Sequence, residues 1–334
     1  MNQNTYSIDM GTSNLKIYCM ADDQIINIKN TIALVKKNHI YAYGDEAYEM
    51  YEKTPDHIQI CFPIENGIIS HFNNMQAMIS EVLEEKCSGK IKGADFIVAV
   101  PTDITPVERK AFFDMFFKSK LHPKNVLLVD KPLAAAAGIG LDIMRPKGMM
   151  IVDIGADTTE IAALSLGGLV QCVRLPFGGR KLDDSIVMHL RSLYNLYIGN
   201  KTAMHLKETI GCALPDMDDA GSATAVGRDI VSGLPIQMEI TSRMIYDAIE
   251  PDLAHICEAI KDILEKVEPE AATDILEAGI YITGGSSQIK GLAELFNKIT
   301  NIKINPPSGA EENVVRGLNI IGTNEKYSTV LKRS

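Results

Sequence analysis

Two aspartates, each ending an apolar run and each followed by a glycine and a cluster of hydroxyls, are the residues of this chain best placed to do chemistry. Asp9 stands in Ser7-Ile8-Asp9-Met10-Gly11-Thr12-Ser13-Asn14. Asp153 stands in Ile151-Val152-Asp153-Ile154-Gly155-Ala156-Asp157-Thr158-Thr159-Glu160. In both places a second apolar run follows at once, which is the grammar of strand, polar turn and strand. Backbone N–H groups and hydroxyls gathered at such a turn form a concavity that holds anions, phosphate above all. Two carboxylates would repel a phosphate, so they belong there only with a cation between them, and hydrated Mg²⁺ is the ion that phosphate and carboxylate share. One such hairpin is an ordinary glycine turn. Two of them, with Asp leading and Thr or Ser following, point to two related half-molecules that offer phosphate loops to a shared cleft. A third loop, Gly284-Gly285-Ser286-Ser287 after Ile280-Tyr281-Ile282-Thr283, lets backbone approach a ligand with no Cβ in the way.

Other nucleotide motifs are missing. A dinucleotide site would show one Gly-x-Gly-x-x-Gly between strand and helix with an acidic residue about 20 positions later, and a Walker loop would show Gly-Lys-Ser/Thr. The net charge of −10 argues against nucleic acid as a partner, because phosphate-backbone binding wants a basic face. With 334 residues, 46% hydrophobic and 23% charged, the chain is long enough for two domains or one large bilobed one. The six cysteines are scattered without Cys-x-x-Cys or zinc-type His spacing, so reduced, mostly buried thiols are expected. No apolar run approaches the roughly 20 residues of a membrane span, and the N-terminus lacks the pattern of a signal peptide. A cytoplasmic location is the expectation.

Elements to position the loops read as follows. Residues 5–20 form the first hairpin and 25–35 further strands, with 40–44 continuing into a small polar subdomain. A helix is expected over 76–85. Residues 96–100 are apolar throughout, as in a strand buried on both faces. Thr105-Pro106-Val107-Glu108 is a capping box with proline at the first helical position. The helix it opens carries Phe112, Phe113, Phe116 and Phe117, a stripe for core or inter-helix packing, with a partner or membrane contact as the alternative. Residues 126–129 form another buried strand, after which Asp130-Lys131-Pro132 opens an Ala-rich helix whose small side chains allow close approach and suit a hinge. Helical spacing continues over 182–197 and 202–210, a polar turn is expected over 216–225, and strands over 227–239. A helix over 241–266 should kink or break at Pro251. A last helix over 310–322 returns to the first lobe. Alternating strands and helices indicate α/β layers.

Asp-x-Gly-Thr hairpins with a later Gly-Gly-Ser loop are the pattern of the actin, sugar-kinase and heat-shock-chaperone ATPases. Within that superfamily the chain closely resembles the MreB family of bacterial actins. The resemblance rests on residues 8–14, Lys53-Thr54-Pro55, Val100-Pro101 with Val107-Glu108-Arg109, Pro132-Leu133-Ala134-Ala135-Ala136, residues 152–160, Ser232-Gly233-Leu234-Pro235 and residues 282–291. These stretches run from end to end. It implies an actin-like ATPase fold of two lobes, each with an RNase H-like core, in four subdomains. Subdomain IA would comprise 1–31, 76–147 and 316–334, IB 32–75, IIA 148–180 and 245–315, and IIB 181–244.

The resemblance further implies an ATP-binding cytoskeletal protein that polymerises into filaments determining cell shape. Gly11, Thr12, Ser13 and Asn14 would hold the β- and γ-phosphates, and Gly155, Ala156 and Asp157 would form the second phosphate loop. Asp9 and Asp153 would hold Mg²⁺ through water, and Thr158 would help place the attacking water. Lys207 and Glu208 would meet ribose or adenine, while Gly284, Gly285 and Ser286 would back the base and the α-phosphate. The partners implied are further copies of the chain in paired protofilaments, with other MreB paralogues also candidates, no nucleic acid, and a location in the cytoplasm or at the inner face of the membrane. A monomeric kinase of the sugar or acetate type is the rival reading, although such an enzyme needs an acceptor site for which this compact chain has little room.

The chain departs from the family pattern in three places. Lys131 stands where the family usually carries the glutamate that acts on the lytic water. An ammonium has three donors and no acceptor, so it cannot take a proton from water, and weak hydrolysis is expected. Neighbouring Asp130 is the other carboxylate on offer, though adjacent side chains in extended backbone point apart. Asp157 replaces a usual glycine, and its carboxylate must face the metal or swing to solvent. The loop Cys87-Ser88-Gly89-Lys90-Ile91-Lys92-Gly93 has one large apolar side chain between lysines, so little or no direct membrane binding is expected, and Lys326, Lys332 and Arg333 read as a solvated basic tail. With no tryptophan, these features resemble the divergent MreB paralogues of wall-less, swimming mollicutes, which would give the filament a part in helical shape and motility.

Overall fold

The two aspartate-led hairpins each seed a sheet, and the two sheets share one design. A computed structural model describes residues 4–36, 39–215, 221–306 and 309–333. The first lobe opens with β1 (Thr5–Met10), β2 (Asn14–Cys19) and β3 (Gln24–Lys29). A small appended unit follows, made of β4 (Ile32–Val35), β5 (His39–Tyr43), α1 (Asp45–Met50) and β6 (Ile58–Cys61), then the short hairpin of β7 (Ile64–Glu65) and β8 (Ile68–Ile69). The lobe is completed by α2 (Phe72–Lys86), β9 (Asp95–Val100), α3 (Pro106–Phe117), β10 (Asn125–Asp130) and α4 (Lys131–Gly138).

The second lobe begins again with three strands, β11 (Met149–Ile154), β12 (Thr159–Ser165) and β13 (Gly168–Leu175), followed by α5 (Gly179–Tyr194). Then come β14 (Leu196–Tyr197), α6 (Asn200–Ile210), β15 (Ser222–Asp229), β16 (Pro235–Thr241) and the long α7 (Ser242–Lys266). Last are α8 (Pro269–Ala278), β17 (Ile280–Thr283), α9 (Leu292–Thr300) and β18 (Ile304–Asn305), after which α10 (Asn313–Thr323) returns to the first lobe and packs on α4, β1 and β9.

The sheet orders are β10-β9-β1-β2-β3 and β13-β12-β11-β17-β18. In each, three antiparallel strands are extended by two parallel ones beside the first. Central β1 and β11 are buried at all six positions, as strands covered on both faces must be. Both therefore deliver their aspartate to the same kind of place, the C-terminal end of a central strand, where open α/β sheets bind ligands.

Small side chains join the lobes. α10 lies across α4 so closely that a Cβ on Gly317 would overlap the Ala134 carbonyl oxygen, and one on Gly138 the carbonyl oxygen of Asn313. The two helices share a core with both sheets, with Ile97 and Val129 on one side, Ile151 and Leu164 on the other, and Leu133 and Leu318 between. The capping box opening α3 forms as expected: Thr105 Oγ1 accepts from Glu108 N, and Glu108 accepts from Thr105 N. Of its phenylalanines, Phe112 and Phe116 are buried, with Phe116 stacked 5.2 Å from Phe96, while Phe117 is exposed.

Several expectations are corrected. α5 stops at Asn195, whose left-handed backbone (φ 54°) ends it, so Tyr197 belongs to a strand and Leu193 is exposed. α7 runs unbroken through Pro251. Of the polar turn expected over 216–225, residues 216–220 lie outside the described residues, and Ser222 onward is strand because it pairs in full register with β16. α1 and α8 were not foreseen. Cys19 and Cys87, 68 residues apart, are joined as a disulfide between β2 and the end of α2, whereas Cys61, Cys172, Cys212 and Cys257 are free as expected. The basic tail stays largely in solvent as expected but is also tethered: Lys332 forms a bridge to Leu128 of edge strand β10 and its half-exposed ammonium meets Asp130 at 2.6 Å, while half-exposed Lys326 meets Asp142 at 2.6 Å. Among the described residues no helix is long and apolar enough to cross a membrane.

Candidate functional site: a cleft between two phosphate loops

Between the lobes lies a cavity of about 840 Å³, within the size range of sites for small molecules and cofactors. Every binding residue singled out from sequence lines it: Gly11, Thr12, Ser13 and Asn14 from the first hairpin, Gly155, Ala156 and Asp157 from the second, Gly284, Gly285 and Ser286 from the third loop, and Lys207 with Glu208 from α6. Asp9, Asp153, Thr158 and Lys131 line it too.

The loops are held by a dense set of backbone bonds. Buried Asn30 donates to the Gly11 carbonyl at 2.8 Å and, through its backbone N–H, to Ser13 O at 2.9 Å. Gly155 N–H donates to Thr158 O at 2.9 Å, closing the second turn. Gly284, at φ 86°, presses on Asp153 and on the Ile154 carbonyl where any Cβ would collide. A fourth glycine-bearing segment, Gly178-Gly179, opens α5. Gly179 N donates to Gly155 O at 2.9 Å and Arg180 N to Ala156 O at 2.8 Å. The positive end of a 16-residue helix thus abuts the second phosphate loop.

Lys131 occupies the centre. Its Nζ stands 2.9 Å from Asp153 Oδ2, and the pair is largely buried. Burial alone would lower this ammonium, but the carboxylates of Asp153, Asp9 and Glu160 outweigh it and hold Lys131 above the usual lysine range. It is a permanent cation. Asp130, one residue earlier, does not line the cleft. It is buried against Arg109 Nη2 and Lys332 Nζ, each at 2.6 Å. Alternation along the extended backbone turns the two side chains apart.

Asp157 neither faces the metal position nor swings to solvent. It spans the cleft: Oδ2 accepts from Asn66 N at 3.0 Å in the opposite lobe, and Oδ1 meets Arg180 Nη1 at 3.2 Å. The Arg180 guanidinium lies 4.8 Å over the Phe62 ring. Lys201 makes a second crossing, donating to Tyr48 O at 2.5 Å.

The MreB/Mbl protein family matches residues 3–329 of this chain. The chain belongs to the MreB/Mbl family. The cell shape-determining protein Mbl of Bacillus subtilis is 34% identical over 291 residues, 86% of each chain. MreB5 of Spiroplasma citri, in a crystal structure bound to AMPPNP, superposes with a TM-score of 0.91 at 30% identity over 97% of both chains. The MamK double helical filament superposes with a TM-score of 0.81 at 21% identity, over 96% of this chain and 99% of that one, and so shares the fold. The fold is actin-like, and the kinase reading is left without support.

Several polar groups of this MreB/Mbl chain escaped the sequence reading. Glu160, fully buried, accepts from Thr102 N and Thr102 Oγ1, both at 2.9 Å, and desolvation pushes its carboxyl up. Asp183 meets Lys207 Nζ at 2.7 Å, and the same ammonium donates to Gly179 O at 2.7 Å. Lys207 is thus a strut between α6 and the start of α5. The available signal was Asp183 itself, a charge on the apolar face that carries Leu182, Ile186 and Leu190.

Burial pushes the Asp183 carboxyl up to about 6, with Lys207 pulling the other way. The folded protein therefore keeps a proton that the unfolded chain gives up from about pH 3.8, and stability falls as pH rises from there through about 6. In urea unfolding of this MreB/Mbl protein and its Asp183→Asn variant, wild-type stability relative to the variant should fall by on the order of 2 kcal/mol across that window. A difference that is flat or rises with pH would refute this account of Asp183.

Asp153 leaves little room for the waters of a hydrated Mg²⁺. One Asp153 oxygen is taken by Lys131, and the other lies against Gly284.

Proposed function

We propose that this MreB/Mbl protein binds ATP between its lobes and polymerises into actin-like filaments that determine cell shape, hydrolysing the bound nucleotide slowly. One observation carries the reading: glycine turns from distant parts of the chain, two of them led by aspartate, converge on a single cleft. Thr12, Ser13 and Asn14 on one side offer hydroxyls, an amide and N–H groups to the β- and γ-phosphates, and on the other the glycine turn at Gly155, closed by its own bond to Thr158 O, lets the Ala156–Thr158 segment come close to them. The start of α5 adds its dipole. Gly284, Gly285 and Ser286 back the α-phosphate and base, Glu208 meets the ribose or adenine, and Lys207 supports that wall through Asp183. The AMPPNP bound by the S. citri MreB5 supports a triphosphate here.

The four-subdomain division fits this reading, with the β4–β6 unit (IB) and the β14–β16 unit (IIB) flanking the cleft mouth. The bonds of Asp157 and Lys201 across that mouth give nucleotide a way to set the angle between the lobes, and hence the shape offered to the next subunit. A cytoplasmic place, as the sequence suggested, suits such a filament.

Sedimentation tests the proposal. With ATP, the chain above its critical concentration should pellet. After the nucleotide is stripped enzymatically and by dialysis, it should stay in the supernatant. A chain that never pellets with ATP, yet phosphorylates a sugar or acetate, would overturn the filament reading.

A further inference from the structure

We infer that Lys131 is the cleft's built-in counter-cation, taking over the charge-neutralising part of the divalent metal, so that this chain binds nucleoside di- and triphosphates almost independently of Mg²⁺. The inference rests on the nucleotide reading above and goes beyond it by saying which ion the site uses.

Three observations converge. The ammonium touches Asp153 at 2.9 Å and lies in the field of Asp9 and Glu160. It also lies under the second phosphate loop, where a Cβ on Gly155 would stand 4.0 Å from Nζ. Finally, its backbone is anchored: Lys131 is the first residue of α4, Pro132 follows it, and the helix behind is buried from Pro132 to Ala137.

Hydrated Mg²⁺ reaches carboxylates through waters of its own shell, which need room beside the carboxylate oxygens. Here an N–H donor already stands at one of those oxygens. A divalent ion would have to displace it or settle beside a fixed positive charge inside a low-dielectric cleft, where like charges repel strongly. The same ammonium supplies what the metal would supply to the loops. It offsets one of the two aspartate charges that would otherwise repel phosphate, and its N–H groups are donors that a phosphate oxygen can accept from. It does not bridge two phosphates as a metal does, so the substitution concerns binding.

Calorimetric titration of the full chain with ATP and with ADP, in excess Mg²⁺ and in excess EDTA, tests this. Wild-type affinity should change less than about threefold between the two conditions. Lys131→Gln should lose about tenfold or more in EDTA and regain it in Mg²⁺, while Lys131→Arg should behave as wild type. Mn²⁺ paramagnetic resonance with AMPPNP gives a second readout, in which Lys131→Gln should take up Mn²⁺ more tightly than wild type. A wild-type affinity that falls tenfold or more in EDTA overturns the inference, even if Lys131→Gln fails to fold. So does a Lys131→Gln variant as indifferent to Mg²⁺ as wild type. Absence of binding in both conditions would instead sink the nucleotide reading itself.

Discussion

Lys131→Glu should speed phosphate release from bound ATP about 10²-fold in excess Mg²⁺, because a positioned general base typically contributes 10²–10⁴. In the wild type position 131 carries an ammonium, which has no acceptor for a water proton, and it is paired to Asp153 at 2.9 Å. No neighbour stands in for it. Asp130 is buried between Arg109 and Lys332 outside the cleft. Glu160 is bound to Thr102 through both N and Oγ1, and burial raises its carboxyl toward the neutral form. A glutamate at 131 has a shorter side chain than lysine, so it would stop short of Asp153 and leave space for water. The variant also removes the positive charge paired with Asp153, so its nucleotide affinity should become strongly Mg²⁺-dependent. A single-turnover assay at saturating Mg²⁺ separates chemistry from binding. Wild-type release already as fast as the variant's would show that another group activates the water.

Gly317→Ala should destabilise the protein by about 3 kcal/mol or more, the upper end of what overpacking costs. The added methyl would overlap the Ala134 carbonyl oxygen, which belongs to the helical backbone of α4 and has no rotamer through which to move aside. Relief would require α10 to lift from α4, opening the core that both sheets share through Leu133 and Leu318. Gly168→Ala is the fitting control, since its Cβ would meet Ser165 O at 3.7 Å, an ordinary contact. Thermal melts of both variants decide the matter: equal melting temperatures would mean that the α4–α10 contact does not limit stability.

The legibility of the cleft in the sequence has a physical cause. A phosphate loop is a local object: Asp, Gly and hydroxyl residues at fixed offsets, with apolar runs on either side, suffice to specify strand, turn and strand. The capping box before Pro106 and the apolar strand Asp95–Val100 are local in the same sense, and both formed where their residues placed them. The Lys131 substitution was equally visible, since it lies at the junction of a buried strand and an Ala-rich helix. Composition and motif thus determined the two lobes, the loops and the lysine at position 131.

Tertiary structure decided what those side chains face. That Asp157 reaches Asn66, 91 residues away, depends on how the lobes close, and no local pattern encodes it. The Asp183–Lys207 strut and the Cys19–Cys87 pairing depend likewise on elements far apart in the chain. The basic tail read as solvated because charge runs usually are, yet β10 offered an open edge and Asp130 a buried charge in need of a partner. Pro251 read as a break because proline removes a helical hydrogen bond, but packing along the buried face of α7 carries the helix through it. Sequence set which groups exist at each turn and strand end; folding fixed their partners, because charge pairing and helix continuity are settled by neighbours that only the closed structure brings together.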